Sequence, residues 1–248
     1  MVAIEWVHIG VVLIGALAGG FVSGLAGFGT GITALGIWLY VLEPKTAATL
    51  VVVCSVISQA LTLPKILPQI EPRRVFPFIL PGLIGVPFGV LLLSQMDARG
   101  LKIAVGVFLL FFAVFILLVR QPRPISWGGR TADGVIGFAG GVLGGFAGMS
   151  GPIPTMWVTL RGWAKAESRS VFQAFNLSIL CAAFILHIIN GFFTMHVVVA
   201  TLAALPGTLL GAQLGAKAYE RLSDRRFREF ILVLLCISGV TLVVSSLR

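Results

Sequence analysis

Gly24-Leu25-Ala26-Gly27-Phe28-Gly29-Thr30-Gly31 interrupts one long apolar run, and Gly145-Phe146-Ala147-Gly148-Met149-Ser150-Gly151-Pro152 interrupts another. The two stretches superpose at a shift of 121 positions, with Gly20 on Gly141, Gly24 on Gly145, Ala26 on Ala147 and Gly27 on Gly148. Further along, Pro81-Gly82 is echoed by Pro206-Gly207, and Gly85 and Gly89 by Gly211 and Gly215. An internal duplication has to be recognised before any topology is assigned. It predicts one transmembrane domain over 1–248, with repeat one at about 7–119 and repeat two at about 131–247.

The flanking runs show what the breaks do. Residues 7–42 and 131–160 are nearly uncharged and 36 and 30 residues long. A span needs about 20 apolar residues, so each run is too long for one crossing and too short for two. The other runs, 46–63, 75–95, 101–119, 170–190, 194–216 and 229–247, have the length of single spans. Charged or proline-rich segments such as Glu43-Pro44-Lys45 separate them, and a lipid core does not accept such segments.

Composition agrees. Hydrophobic residues make up 58% of the chain and charged residues 11%, with a mean hydropathy of +1.04. A soluble domain is about one quarter charged. The net charge of +9 is spread over short loops and forms no continuous basic face, which excludes nucleic acid as a partner. Cys54, Cys181 and Cys236 lie inside apolar runs without a CxxC pair, so neither zinc nor redox chemistry is signalled. The first run lacks a basic n-region and outlasts a signal peptide, so it is expected to be retained.

Charge also measures topology through the excess of Lys and Arg in cytoplasmic loops. Eight simple spans would sort the 18 basic residues seven against eleven. If both glycine-broken runs turn back on themselves, only Lys45, Arg99, Lys102 and Arg248 fall on one side and the other fourteen on the opposite side. The cleaner partition predicts two inverted repeats, each a broken helical hairpin plus three spanning helices. It places both termini in the periplasm and the loops near 64–74, 120–130, 161–169 and 217–228 in the cytoplasm.

The candidate chemistry is neutral. Glycines at 27, 29 and 31, and at 148 and 151, let backbone approach a ligand, and Thr30 and Ser150 add hydroxyls. A helix restarted inside the membrane offers free N–H groups and a positive dipole end. The same glycines could instead serve helix packing. The following helices carry Ser55 and Gln59 in one half and Gln173 and Asn176 in the other, and each pair shares a helix face. All nine carboxylates lie at run edges or in loops. His187, near a helix end, reads as structural, and Arg169 as a positive-inside anchor. No hydrolase triad, metal-ligand cluster or ATP loop is present, so no catalysis, metal or cofactor is expected.

The doubled glycine pattern, the two Pro-Gly helices and the segment Arg169-Ser170-Val171-Phe172-Gln173-Ala174-Phe175-Asn176 resemble the sulfite exporter TauE/SafE family, over almost the whole chain. The resemblance implies a secondary transporter of the bacterial inner membrane, moving a sulfur oxyanion or organosulfonate such as sulfite or sulfoacetate. Two features depart from an even duplication. Gly31 stands where Pro152 does, and the first half lacks an amide pair at the spacing of Gln173 and Asn176. The expected partners are a small anionic substrate and the bilayer, with a homodimer as the candidate assembly. The expected mechanism is rocking of two inverted halves around a site formed by Gly27, Gly29, Thr30, Gly31, Ser55, Gln59, Gly148, Ser150, Gly151, Gln173 and Asn176. A channel-like anion pore and a non-transporting assembly or sensor subunit stand as alternatives. Single cysteines at positions 45 and 165 should react with an impermeant reagent from opposite faces; labelling of both from one face would exclude inverted halves.

Overall fold

In the computed structural model, the described residues are 6–62, 70–118, 125, 127–163, 165–219 and, further on, 233, 236, 239–240 and 242–244. Most of the run at 229–247 and of the segment at 217–228 therefore lies outside the described residues. The described chain forms α1 (Trp6–Ala26), α2 (Thr30–Trp38), α3 (Pro44–Thr62), α4 (Pro72–Gln95), α5 (Ala98–Leu118), α6 (Gly129–Ala147), α7 (Pro152–Leu160), α8 (Lys165–Ile189) and α9 (Met195–Tyr219). Helices α1, α3, α4, α5, α8 and α9 are each long and apolar enough to cross a bilayer. Phe76, Leu80, Ile84 and Phe88 repeat every four residues along α4 and are exposed. In water such a stripe would be a liability; in lipid it faces its natural solvent.

Both over-long runs split at their glycines. α1 ends at Ala26, and Gly27 and Gly29 take positive φ of 79° and 116°. α6 ends in Gly148 at φ 66°, whose N–H bonds to the Gly144 carbonyl while the Met149 N–H reaches Leu143. This left-handed cap is the usual way to stop a helix, and only glycine adopts it without strain. The chain then doubles back. In α1–α2, Gly29 packs on Val22, Gly19 faces Thr30 and Ala34, and Gly15 meets Trp38. In α6–α7, Gly144 and Gly140 face Ser150, and Trp157 reaches Asp133. A tryptophan closes each hairpin at its base, Trp38 donating to the Val12 carbonyl at 3.1 Å and Trp157 to the Asp133 carboxylate at 2.7 Å. Arg161 adds a second bond to that carboxylate at 2.9 Å.

Contact register gives the helix directions. Gly20 and Gly24 pack on Thr208 and Ala212, while Gly207, Gly211 and Gly215 pack on Leu13, Leu17 and Phe21. Both numbers rise together, so α1 and α9 run the same way. The same holds for α6 and α4, where Gly137, Gly141 and Gly145 meet Phe78, Gly82 and Val86. Phe175 and Ile179 of α8 touch Gly140 and Gly144 of α6 and also Gly82 of α4, so α8 is parallel to both. α3 runs against α8: Thr49 bonds His187, whereas Gln59 and Asn176 share a partner further up. The short connection Asn190–Thr194 reverses α8 into α9. Hence α1 opposes α6, α3 opposes α8 and α9 opposes α4.

Ends sort accordingly. Lys45 lies over Phe192 and Lys102 over Tyr40 on one face. On the other, Arg74 and Arg161 lie over Trp163. The glycine seams predict a sharp size dependence. A side chain at Gly141 would run into the Gly82 backbone, whereas Gly10 has open space around it. Gly141→Val should cost about 1–3 kcal/mol through overpacking, and Gly10→Ala should be neutral or slightly stabilising, as read from thermal unfolding in detergent.

Candidate functional site

The two hairpins enter from opposite faces and their tips meet between α3 and α8. Gly31 packs against the Ala147 and Gly148 carbonyls, and Gly151 against Phe28. Gly148 rests on Val51 and Val52 of α3, and Gly27 on Asn176 of α8, so both tips sit near the middle of the long helices. A break there frees backbone polar groups that lipid cannot satisfy, and amide side chains take that role. The Gly27 carbonyl accepts from Gln59 Nε2 at 3.1 Å and from Asn176 Nδ2 at 3.3 Å. Asn176 Oδ1 in turn accepts from the Ser150 hydroxyl at 2.9 Å. Asn176 therefore ties one tip to the other.

Around this junction lies a small cavity of about 10 Å³, room for about one water molecule. Of the residues singled out in the sequence, Gly29, Gly31, Ser55, Gln59, Gly148, Ser150, Gly151 and Asn176 line it. Gly27, Thr30 and Gln173 do not. Gly27 contributes its carbonyl from behind, and Gln173, fully buried, lies beside Gly27. Thr30 turns its methyl toward Gly19 within the hairpin, and its hydroxyl has no partner among the described residues. The lining also includes Ser23, Phe28, Ile32, Met149, Pro152 and Leu180. Ser23, bonded to Ser58 at 3.0 Å, was missed in the sequence, where its one signal is a hydroxyl one turn before Gly27; the apolar members carried no signal beyond proximity to the breaks.

Helices α2 and α7 begin at this cavity, with Gly29 and Gly151 as their N-caps and no side chain capping either. Their first N–H groups are the positive end of the helix dipole. His187 is fully buried elsewhere: Nε2 lies 3.0 Å from the Gly145 carbonyl and Nδ1 2.9 Å from the Thr49 hydroxyl. Nε2 must then carry the proton, Nδ1 accepts from Thr49, and the ring staples α3, α6 and α8 together. Asp133, at a run edge in the sequence, is also buried, but its Trp157 and Arg161 partners belong to the hairpin base.

A family model described as sulfite exporter TauE/SafE matches residues 11–242. No curated protein and no solved structure matches the chain.

Asn176 bridges the two tips, donating to the Gly27 carbonyl and accepting from the Ser150 hydroxyl. Asn176→Leu should remove both bonds and cost about 2–3 kcal/mol, seen as a lower unfolding temperature of a protein that still runs as a single species in detergent.

Proposed function

The chain belongs to the sulfite exporter TauE/SafE family, and from that membership we propose that it is a secondary transporter of a small sulfur oxyanion or organosulfonate, working by alternating access. The family is one of membrane transporters, and six helices of this chain have the length and apolarity to span. The observation that carries the finer reading is the junction of two hairpin tips around neutral hydrogen-bond donors. A site at the meeting point of oppositely directed units can be opened to either face by rocking them.

The donor set suits an oxyanion. Gln59 and Asn176 supply amide N–H groups, Ser23, Ser55 and Ser150 supply hydroxyls, and the starts of α2 and α7 supply positive potential. These donors now rest on internal acceptors such as the Gly27 carbonyl. Each amide has a second N–H to turn toward the anion while the first holds the carbonyl, and bonds to a charged acceptor are roughly twice as strong. The present cavity is too small for a sulfur oxyanion, so the closed form described here must widen to load. The units that rock are the glycine-sealed groups α1–α2–α9 and α4–α6–α7, each drawn from both sequence repeats. The face bearing Arg74 and Arg161 is cytoplasmic, and the face bearing Lys45 and Lys102 is periplasmic.

Protein reconstituted in liposomes should catalyse saturable sulfite or sulfonate counterflow. Asn176→Leu should lower that flux by at least about tenfold while the protein remains folded. Ohmic current without counterflow would instead establish a channel, and absence of any flux would refute transport.

A further inference from the structure

Resting on the anion-transport reading above, we propose that the tip cavity selects singly charged oxyanions and rejects doubly charged ones of the same shape. Its lining is Ser, Gly, Gln, Asn, Pro and apolar side chains, with no Lys, Arg, His, Asp or Glu among the described residues. The described charged side chains on the surrounding elements are committed elsewhere or belong to residues in the end turns of their helices. On α3, Lys45 lies over Phe192. On α4, Arg73 and Arg74 occupy the first turn, and Arg74 pairs with Glu71. On α6, Asp133 is held by Arg161 and Trp157, and Arg130 stands one turn before it. α8 carries Lys165, Glu167 and Arg169 in its opening turns, and its His187 is engaged through both ring nitrogens. On α9, His196 and Lys217 fall in the first and last turns, and His8 falls at the start of α1. α2 and α7 contain no charged residue.

A site made of fixed neutral dipoles has a definite charge preference. The attraction between the dipoles and an ion rises in proportion to the ion's charge. The cost of stripping water from the ion rises with the square of its charge, so a dianion costs about four times as much as a monoanion of equal radius. A site with a buried Lys or Arg could offset the second charge; this one holds only donors whose combined pull merely doubles. The donors are also shared. Gln59 and Asn176 both serve the Gly27 carbonyl, and Ser150 serves Asn176; with Ser23 and Ser55 they are the side-chain donors of the described lining, and a second charge meets the same dipoles as the first. The transported form of an acid that loses its second proton near neutrality is therefore the half-protonated one.

Equilibrium binding of radiolabelled methanesulfonate, sulfate and sulfite to the purified full-length protein, at constant ionic strength, tests this. Methanesulfonate and sulfate are both tetrahedral about sulfur and differ by one charge. Methanesulfonate should bind at least about tenfold more tightly than sulfate. Sulfite should weaken on passing from the acidic to the alkaline side of neutrality, while methanesulfonate stays level. Sulfate binding as tightly as methanesulfonate, or sulfite binding that strengthens with rising pH, would overturn the selectivity and leave the anion site standing. Failure of all three ligands to bind would overturn the anion site itself, and the selectivity with it.

Discussion

The Gly27 carbonyl accepts two amide N–H groups from two different helices. That arrangement answers the constraint under which the whole fold is built. A chain that turns around inside a bilayer exposes peptide groups that lipid cannot solvate. Each must find a partner within the protein or the turn cannot exist. Gln59 and Asn176 meet that need for one tip, and the left-handed cap at Gly148 meets it for the other. The groups that satisfy the backbone are thus the same groups that line the cavity.

The halves share a plan but not its chemistry. At the shift of 121, Asn176 corresponds to Ser55, Gln59 to Leu180 and Gln173 to Val52. Accordingly the Gly27 carbonyl is met by two amides, while Gly148 packs on Val51 and Val52. The two hairpin bases diverge as well: Trp38 bonds a backbone carbonyl, whereas Trp157 bonds a carboxylate that also holds Arg161. The two hairpins, alike in outline, therefore carry an asymmetric lining.

Much of the frame was legible in the sequence. Glycine spacing and impossible run lengths located both breaks, because a lipid core leaves few ways to interrupt a helix. The residues at 55, 59 and 176 stood out because polar groups in apolar helices need a reason to be there. What could not be read was which face of a residue the tertiary packing would use. Thr30 points its methyl into α1, and Gln173 lies behind Gly27 rather than in the lining. Phe28, Ile32 and Leu180 enter the lining only because two hairpins converge, and no local pattern encodes that convergence. The burial of Asp133 was hidden for the same reason, since its partners lie 24 and 28 residues away.

The glycine-lined contacts of α1 with α9, and of α6 with α4, set how the two halves of the chain depend on each other. Neither seam lies within a single repeat. Each joins the hairpin of one repeat to the Pro-Gly helix of the other. A lone repeat would leave both of these faces bare, with backbone open to lipid along two grooves. Each half of the chain thus depends on the other to cover the glycine face of its hairpin.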